Sequence, residues 1–123
     1  AHIEGHMATS KYINQMVVIG DRRKYLSALV TLDEENITEF AKEQGLDFNS
    51  FDDLMHHDKV YELIDSEIKE KNKDLPSYET IKKFTIVPEF TIENKMMTPT
   101  LKVKKNVAMD AHKEKIENMY PKA

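Results

Sequence analysis

Three lysines follow a turn-forming tripeptide near the end of this 123-residue chain. The segment at residues 98–105 reads TPTLKVKK and carries Lys102, Lys104 and Lys105. Pro99 has no backbone N–H and keeps Thr98 out of helical conformation, which predicts a loop. A lysine on such a loop can act as a point charge toward a phosphate or a carboxylate. Because lysine clusters at a helix start are more often a solvated surface, the residues alone leave both interpretations open.

No other group of side chains forms a comparably specific pattern. His56 and His57 are adjacent, and neighbouring helical residues diverge by about 100°. A shared metal ion is therefore not expected, and the sequence predicts no metal site. Acidic pairs at 34–35 and 52–53 suit the first turn of a helix, where carboxylates interact favourably with the helix dipole. No serine has the flanking glycines of a nucleophile elbow.

Short strands and helices must position the lysines. Apolar, β-branched runs at 13–19 and 25–32 with a short connection predict an antiparallel hairpin. The following helix is predicted to begin at Asn36 as its N-cap and to stop at Gly45.

Asp58 then opens the clearest helix of the chain. Its apolar side chains have the spacing of one buried stripe, i, i+3, i+4 and i+8, at Val60, Leu63, Ile64 and Ile68. A third strand is predicted at 81–87, a small hairpin at 90–98 and a final helix at 104–120. The apolar face of that helix comprises Val107, Ala111, Ile116 and Met119. This order predicts an α+β domain with a small, mostly antiparallel sheet packed by helices.

Composition narrows the classes of function. The net charge of −4 argues against a general nucleic-acid binder. The absence of cysteine excludes disulfides and thiolate metal sites. The sequence has no apolar run long enough for a membrane helix and no recognisable signal peptide. Residues 1–6, AHIEGH, resemble an expression-tag remnant, so the domain is expected to comprise residues 7–123.

Four segments of the chain resemble the closing part of long-chain acyl-CoA synthetases, which belong to the superfamily of adenylate-forming, AMP-binding enzymes. They are VVIGDRRKYLSALV at 17–30, LPSYETIKKF at 75–84, FTIEN at 90–94 and MTPTLKVK at 97–104. Several motifs in the right order are more specific than any one of them, and together they extend over nearly the whole chain.

The resemblance implies a C-terminal lid domain that closes over a large N-terminal adenylation domain, which this chain lacks. The intact ligase uses ATP with Mg²⁺ to join a fatty acid to AMP, and CoA then displaces AMP. By motif position the catalytic lysine is Lys102, which neutralises charge between the carboxylate and the α-phosphate. Lys104 and Lys105 are candidate contacts for CoA phosphates. The fragment is expected to bind none of these cofactors and to be inactive alone.

Two features of the family are missing: the Ser/Thr/Gly-rich phosphate loop and a glycine-containing hinge before Ser10. Their absence predicts that the sequence is a truncated piece of a longer protein. Lys95 stands where the hairpin turn often has glycine. The expected partners are the adenylation domain and, through it, fatty acid, ATP and CoA, but not nucleic acid. The expected location is the cytoplasm, with peripheral membrane association of the intact enzyme left open.

Two other functions remain as alternatives to the ligase lid. One is a non-catalytic α+β module that binds a protein partner through its sheet or its lysine-rich loop. The other, an RNA-binding domain, is disfavoured because the sequence lacks the interleaved aromatic residues of a base-stacking platform.

Overall fold

The computed structural model describes residues 2–121, which form a small sheet with helices on both faces. The elements in chain order are α1 His2–Met7, β1 Ile13–Ile19, β2 Leu26–Leu32, α2 Glu34–Glu43, α3 Phe51–Met55, α4 Asp58–Asn72, a 3₁₀ turn Ser77–Glu79, β3 Ile81–Ile86, α5 Lys105–Ala111 and α6 Lys113–Asn118. No helix within the described range has both the length and the apolar character needed to cross a bilayer.

The sheet has the strand order β1-β2-β3. Strands β1 and β2 form the predicted antiparallel hairpin, with Ile19 opposite Ser27. Strand β3 runs parallel to β2, because the chain between them crosses over through three helices and returns in the same direction. The α+β class is confirmed, but one of the two pairings is parallel, so the sheet is mixed rather than mostly antiparallel. The residues of β3 carry no signal for strand direction.

Strand β2 is buried on both faces and separates two apolar cores. Successive side chains of a strand point to opposite faces, so Ala28 and Val30 belong to the first core and Leu29 to the second. Helices α2, α3 and α4 complete the first core with side chains that include Ile37, Leu54 and Ile64. Phe90 and residues of α5 and α6 complete the second core. The lysine-bearing segment therefore packs on the second core.

Helix α4 has the stripe that the sequence predicts. Val60, Ile64 and Ile68 are buried, and Leu63 is half-buried at the edge of the stripe. The Nδ1 atom of His57 accepts a hydrogen bond from the backbone N–H of Lys59 at 3.0 Å and caps the helix. The apolar spacing thus identified the packed face correctly.

Helix α2 begins three residues earlier than expected. Its N-cap is Asp33, whose carboxylate accepts a hydrogen bond from the N–H of Asn36 at 2.9 Å, so the prediction that Asn36 caps the helix is wrong. A cap side chain reaches the amide two or three residues ahead, which makes Asp33 the better-placed acceptor. The stop at Gly45 is confirmed by its φ of +67° and by the hydrogen bond from Leu46 N–H to Ala41 O.

Residues 2–7 form helix α1 against strand β1 and helix α4. Met7 is fully buried, and the His6 ring lies 3.0 Å from the Lys71 carbonyl oxygen. The Val18 N–H donates to the Glu4 carboxylate at 2.9 Å, which satisfies a donor on the outer edge of β1. The origin of residues 1–6 in an expression tag stays a prediction.

The final helix is bent. The chain leaves helical conformation at His112, with φ −115° and ψ 28°, so α5 and α6 replace the single predicted helix. Hydrogen bonds from His112 N–H to Ala108 O and from Ile116 N–H to His112 O continue across the bend. Ala108, Ile116 and Met119 are buried, whereas Val107 and Ala111 are exposed. The predicted apolar face is therefore right in its second half and wrong in its first.

A cluster of aromatic and charged residues joins α6 to the tip of the β1–β2 hairpin. The rings of Tyr25 and Tyr120 stack at 4.9 Å, and the Tyr120 hydroxyl lies 2.7 Å from Ser27 Oγ. Arg23 lies over the Tyr120 ring at 4.6 Å and pairs with Glu117. Arg23 thus links the tip of the hairpin to α6.

The Arg23–Glu117 pair should make folding sensitive to acid. The hydrogen bond from Arg23 lowers the pKa of the Glu117 carboxyl below its ordinary value of 4.5. Because the folded-state pKa is the lower one, the carboxylate contributes stability above that ordinary value, and the contribution is lost as pH falls through the folded-state pKa. We expect the melting temperature, measured by circular dichroism from pH 7 to pH 3, to fall more steeply for the parent chain than for Glu117→Gln. Parallel curves for the two proteins contradict this role.

Candidate functional site

The loop at residues 98–102, which we call the lysine loop, is closed at its base by backbone pairing. Met97 and Val103 form an antiparallel bridge. Inside it, Thr98 N–H donates to the Lys102 carbonyl oxygen at 2.8 Å, and Lys102 N–H donates to the Thr98 hydroxyl oxygen at 3.1 Å. The backbone of Lys102 is therefore fixed on both sides by one threonine.

Leu101 gives the loop its tight turn. It has a φ of +65°, a left-handed conformation that costs a residue with a Cβ roughly 1–2 kcal/mol. Its N–H donates to the Thr98 carbonyl oxygen at 2.8 Å, and its side chain is 67% exposed. Strained backbone of this kind often occurs at functional sites, and here it immediately precedes Lys102.

The Lys102 side chain is exposed at the end of this closed loop. Over residues 2–121, no carboxylate lies within ion-pair distance of its ammonium group. An exposed cation on a fixed backbone, with no carboxylate partner in the described part of the chain, is available to an anion supplied from outside the domain. Burial of this side chain in the interior of the domain would have ruled out that chemistry.

The other two predicted lysines lie where the loop joins helix α5. Lys104 is exposed, and its N–H donates to the Met96 carbonyl oxygen at 2.7 Å. Lys105 is the first residue of α5, and its ammonium lies 3.6 Å from the Glu4 carboxylate. Lys102 and Lys104 thus flank Val103, which packs on the second core, and Lys105 follows them with Glu4 as an acidic neighbour.

The segment before the lysine loop is not the predicted hairpin. Residues 90–98 form turns around Asn94, whose side-chain oxygen accepts hydrogen bonds from the N–H groups of Thr91 and Met96 at 3.0 and 3.1 Å. Lys95 has a φ of +67°, a conformation that glycine adopts without steric cost. The Asn94 side chain thus replaces the backbone hydrogen bonds between strands that a hairpin would have formed. Within residues 90–104, the backbone bridge joins Met97 to Val103.

Sequence reasoning missed Gln15, which supports this segment from strand β1. Its side-chain oxygen accepts hydrogen bonds from Phe90 N–H at 2.9 Å and from the Thr31 hydroxyl at 3.0 Å. Its side-chain nitrogen donates to the Phe90 carbonyl oxygen at 3.0 Å and lies 3.4 Å from Met97 Sδ. Two adjacent amides, Asn14 and Gln15, lie at the start of an otherwise apolar strand, and the sequence does not indicate which of them turns inward.

The remaining candidates in the sequence take structural positions. The His56 ring contacts the Asp52 carbonyl oxygen at 2.9 Å, while His57 caps α4. The Asp53 carboxylate forms a capping box with Ser50 at the start of α3. Within the described part of the chain, no group of three or more His, Cys, Asp or Glu side chains is arranged to hold a metal ion.

The comparison with protein families gives one match over the entire chain. A family model described as AMP-binding enzyme C-terminal domain matches residues 1–123. A long-chain-fatty-acid–CoA ligase of Mycobacterium tuberculosis is 32% identical over 99% of this chain and 21% of its own length. Long-chain-fatty-acid–CoA ligase 1 of Homo sapiens is 30% identical over 96% of this chain and 17% of its own length.

Solved structures show the same fold. The A-PCP didomain of a carboxylic acid reductase from Segniliparus rugosus, in complex with AMP, superposes with a TM-score of 0.73 at 22% identity. The superposition covers 95% of this chain and 15% of that one. This chain spans about a fifth of the length of the curated relatives that it matches.

Proposed function

Because the chain belongs to the family of C-terminal domains of AMP-binding enzymes, we propose that it is the lid domain of an AMP-forming long-chain fatty acid–CoA ligase. In the first half-reaction a carboxylate oxygen of the fatty acid attacks the α-phosphorus of ATP, and pyrophosphate leaves. In the second, the thiol of CoA loses its proton and attacks the acyl carbon, and AMP leaves. The ATP and fatty-acid sites belong to the rest of the enzyme, so this domain alone is inactive.

The exposed ammonium of Lys102, on a loop whose base is fixed, is the observation that carries the proposal. A carboxylate and a triphosphate repel each other as they approach. A cation placed between them offsets this repulsion and stabilises the charge that develops in the transition state. Because no carboxylate among residues 2–121 lies within ion-pair distance of the Lys102 ammonium, its charge is available for that task.

Lys104 and Lys105 are proposed to contact phosphates of CoA in the second half-reaction. Both side chains are exposed beside the lysine loop. The Mg²⁺ that accompanies ATP is assigned, with ATP itself, to the rest of the enzyme. We place the intact enzyme in the cytoplasm.

Lysine footprinting tests whether the lysine loop enters the ligase site. The intact ligase is treated with an acetylating reagent, with and without a non-reactive acyl-adenylate analogue, and modified lysines are quantified by mass spectrometry. We expect the analogue to slow modification of Lys102 and to leave Lys42, an exposed lysine on α2, unchanged. Equal rates at Lys102 in both samples contradict the lid role and favour the interaction module.

A further inference from the structure

Strand β1 contains a register irregularity immediately before Gln15. Its register with β2 shifts between Ile13 and Gln15, which marks a β-bulge. In a regular strand Ile13, Gln15 and Val17 would share one face. Here Gln15 contacts Phe90 of the second core, in which Val17 also packs, whereas Ile13 packs in the first core. The irregularity therefore turns Ile13 to the opposite face, and from Gln15 onward the strand alternates regularly.

The Gln15 amide contacts Phe90 as a neighbouring strand would. Its oxygen accepts from the Phe90 N–H and its nitrogen donates to the Phe90 carbonyl oxygen, at 2.9 and 3.0 Å. The Thr31 hydroxyl donates to the same amide oxygen and fixes its orientation. Phe90 is fully buried, so an apolar side chain at position 15 would leave two backbone polar groups without these partners.

From Phe90 a short series of contacts leads to the lysine loop. Gln15 Nε2 also touches Met97 Sδ at 3.4 Å, and Met97 is the residue that bridges to Val103. The next residue, Thr98, holds both backbone groups of Lys102. Gln15 therefore contacts both ends of the 90–97 segment that carries the loop.

We propose that Gln15 is a positioning residue for adenylation, which sets the location of Lys102 through the backbone of residues 90–97. The inference rests on the proposed role of Lys102. A positioned charge loses much of its effect when it is displaced by about 1 Å, and such a displacement can slow a reaction about 100-fold. Gln15 acts through Lys102 and need not touch a substrate.

The first test uses the 123-residue chain. In Gln15→Met we expect lower ¹⁵N heteronuclear NOE values and faster amide exchange at Thr98 and Lys104, while the amides of β2 keep their protection. Gln44→Met, the same substitution at an exposed site on the C-cap of α2, is the matched control. Unchanged order in residues 96–104 overturns the inference.

The second test measures the two half-reactions in the intact ligase. We expect Gln15→Met to slow adenylation at saturating substrate by about 10- to 100-fold. The KM for ATP and the rate of thioester formation from preformed acyl adenylate should stay close to the parent values. A general loss of folding would lower both half-reactions together, so equal losses overturn the inference, as does an unchanged adenylation rate.

Gln15→Glu provides a conservative rescue that depends on pH. The ionised carboxylate can accept from Phe90 N–H but cannot donate to the Phe90 carbonyl oxygen, whereas the protonated form can do both. The adenylation rate of this variant, divided by that of the parent at the same pH, should therefore rise as pH falls. Thr31→Val, which removes only the hydroxyl donor to Gln15, should lower the adenylation rate less than Gln15→Met does. A ratio that does not change with pH overturns the inference.

Normal adenylation by a Lys102→Ala ligase would instead overturn the proposed function itself.

Discussion

Replacing Lys102 by alanine in the intact ligase is expected to slow adenylation about 100- to 1,000-fold, the usual effect of removing one preorganised electrostatic group. Thioester formation from preformed acyl adenylate should stay near the parent rate, because the charge between carboxylate and α-phosphate matters only in the first half-reaction. Single-turnover release of pyrophosphate measures the first step, and acyl-CoA formation from the isolated adenylate measures the second.

Two substitutions serve as controls for the Lys102 prediction. Lys104→Ala removes another exposed cation two residues away and should leave adenylation within a few-fold of the parent. Lys102→Arg keeps the charge but changes its shape and reach, so it should recover only part of the activity. Adenylation at the parent rate by Lys102→Ala would refute the assignment. The same loss in both half-reactions would also refute it and would indicate damage to the domain rather than a missing charge.

Replacing Phe90 by alanine is expected to lower the free energy of unfolding of the chain by about 3–5 kcal/mol, the usual cost of removing a buried aromatic ring. Phe90 is fully buried and is the bulkiest of the fully buried side chains. It fills the second core between the sheet and the two C-terminal helices. Its removal leaves a cavity that these elements can close only in part. Urea unfolding followed by circular dichroism gives the difference directly.

Tyr78→Ala is the matched control, because Tyr78 is an aromatic residue that is 78% exposed. Its loss should change the free energy of unfolding by no more than about 0.5 kcal/mol. If Phe90→Ala lowers the free energy of unfolding no more than Tyr78→Ala does, then the Phe90 ring does not stabilise the packing of the C-terminal helices on the sheet.

The sequence by itself determined the elements whose signals are local. The β-branched runs identified β1 and β2, the apolar spacing identified the buried stripe of α4, and Gly45 marked the end of α2. Each of these signals lies within a short stretch of sequence. It consists either of the periodic spacing of apolar residues or of the conformational preference of one residue. Pro99 likewise predicted the loop that precedes Lys102, and this loop is confirmed. The assignment of Lys102 as the catalytic lysine stays a prediction.

Only the tertiary structure decided features that depend on contacts between distant residues. The parallel direction of β3 follows from the crossover through three helices. The Asn94 turn replaces a predicted hairpin. The side-chain hydrogen bonds of Gln15 depend on a partner 75 residues away, Phe90. No periodicity in the sequence records such pairs, because the hydrogen bonds that fix them exist only after the two segments have packed together.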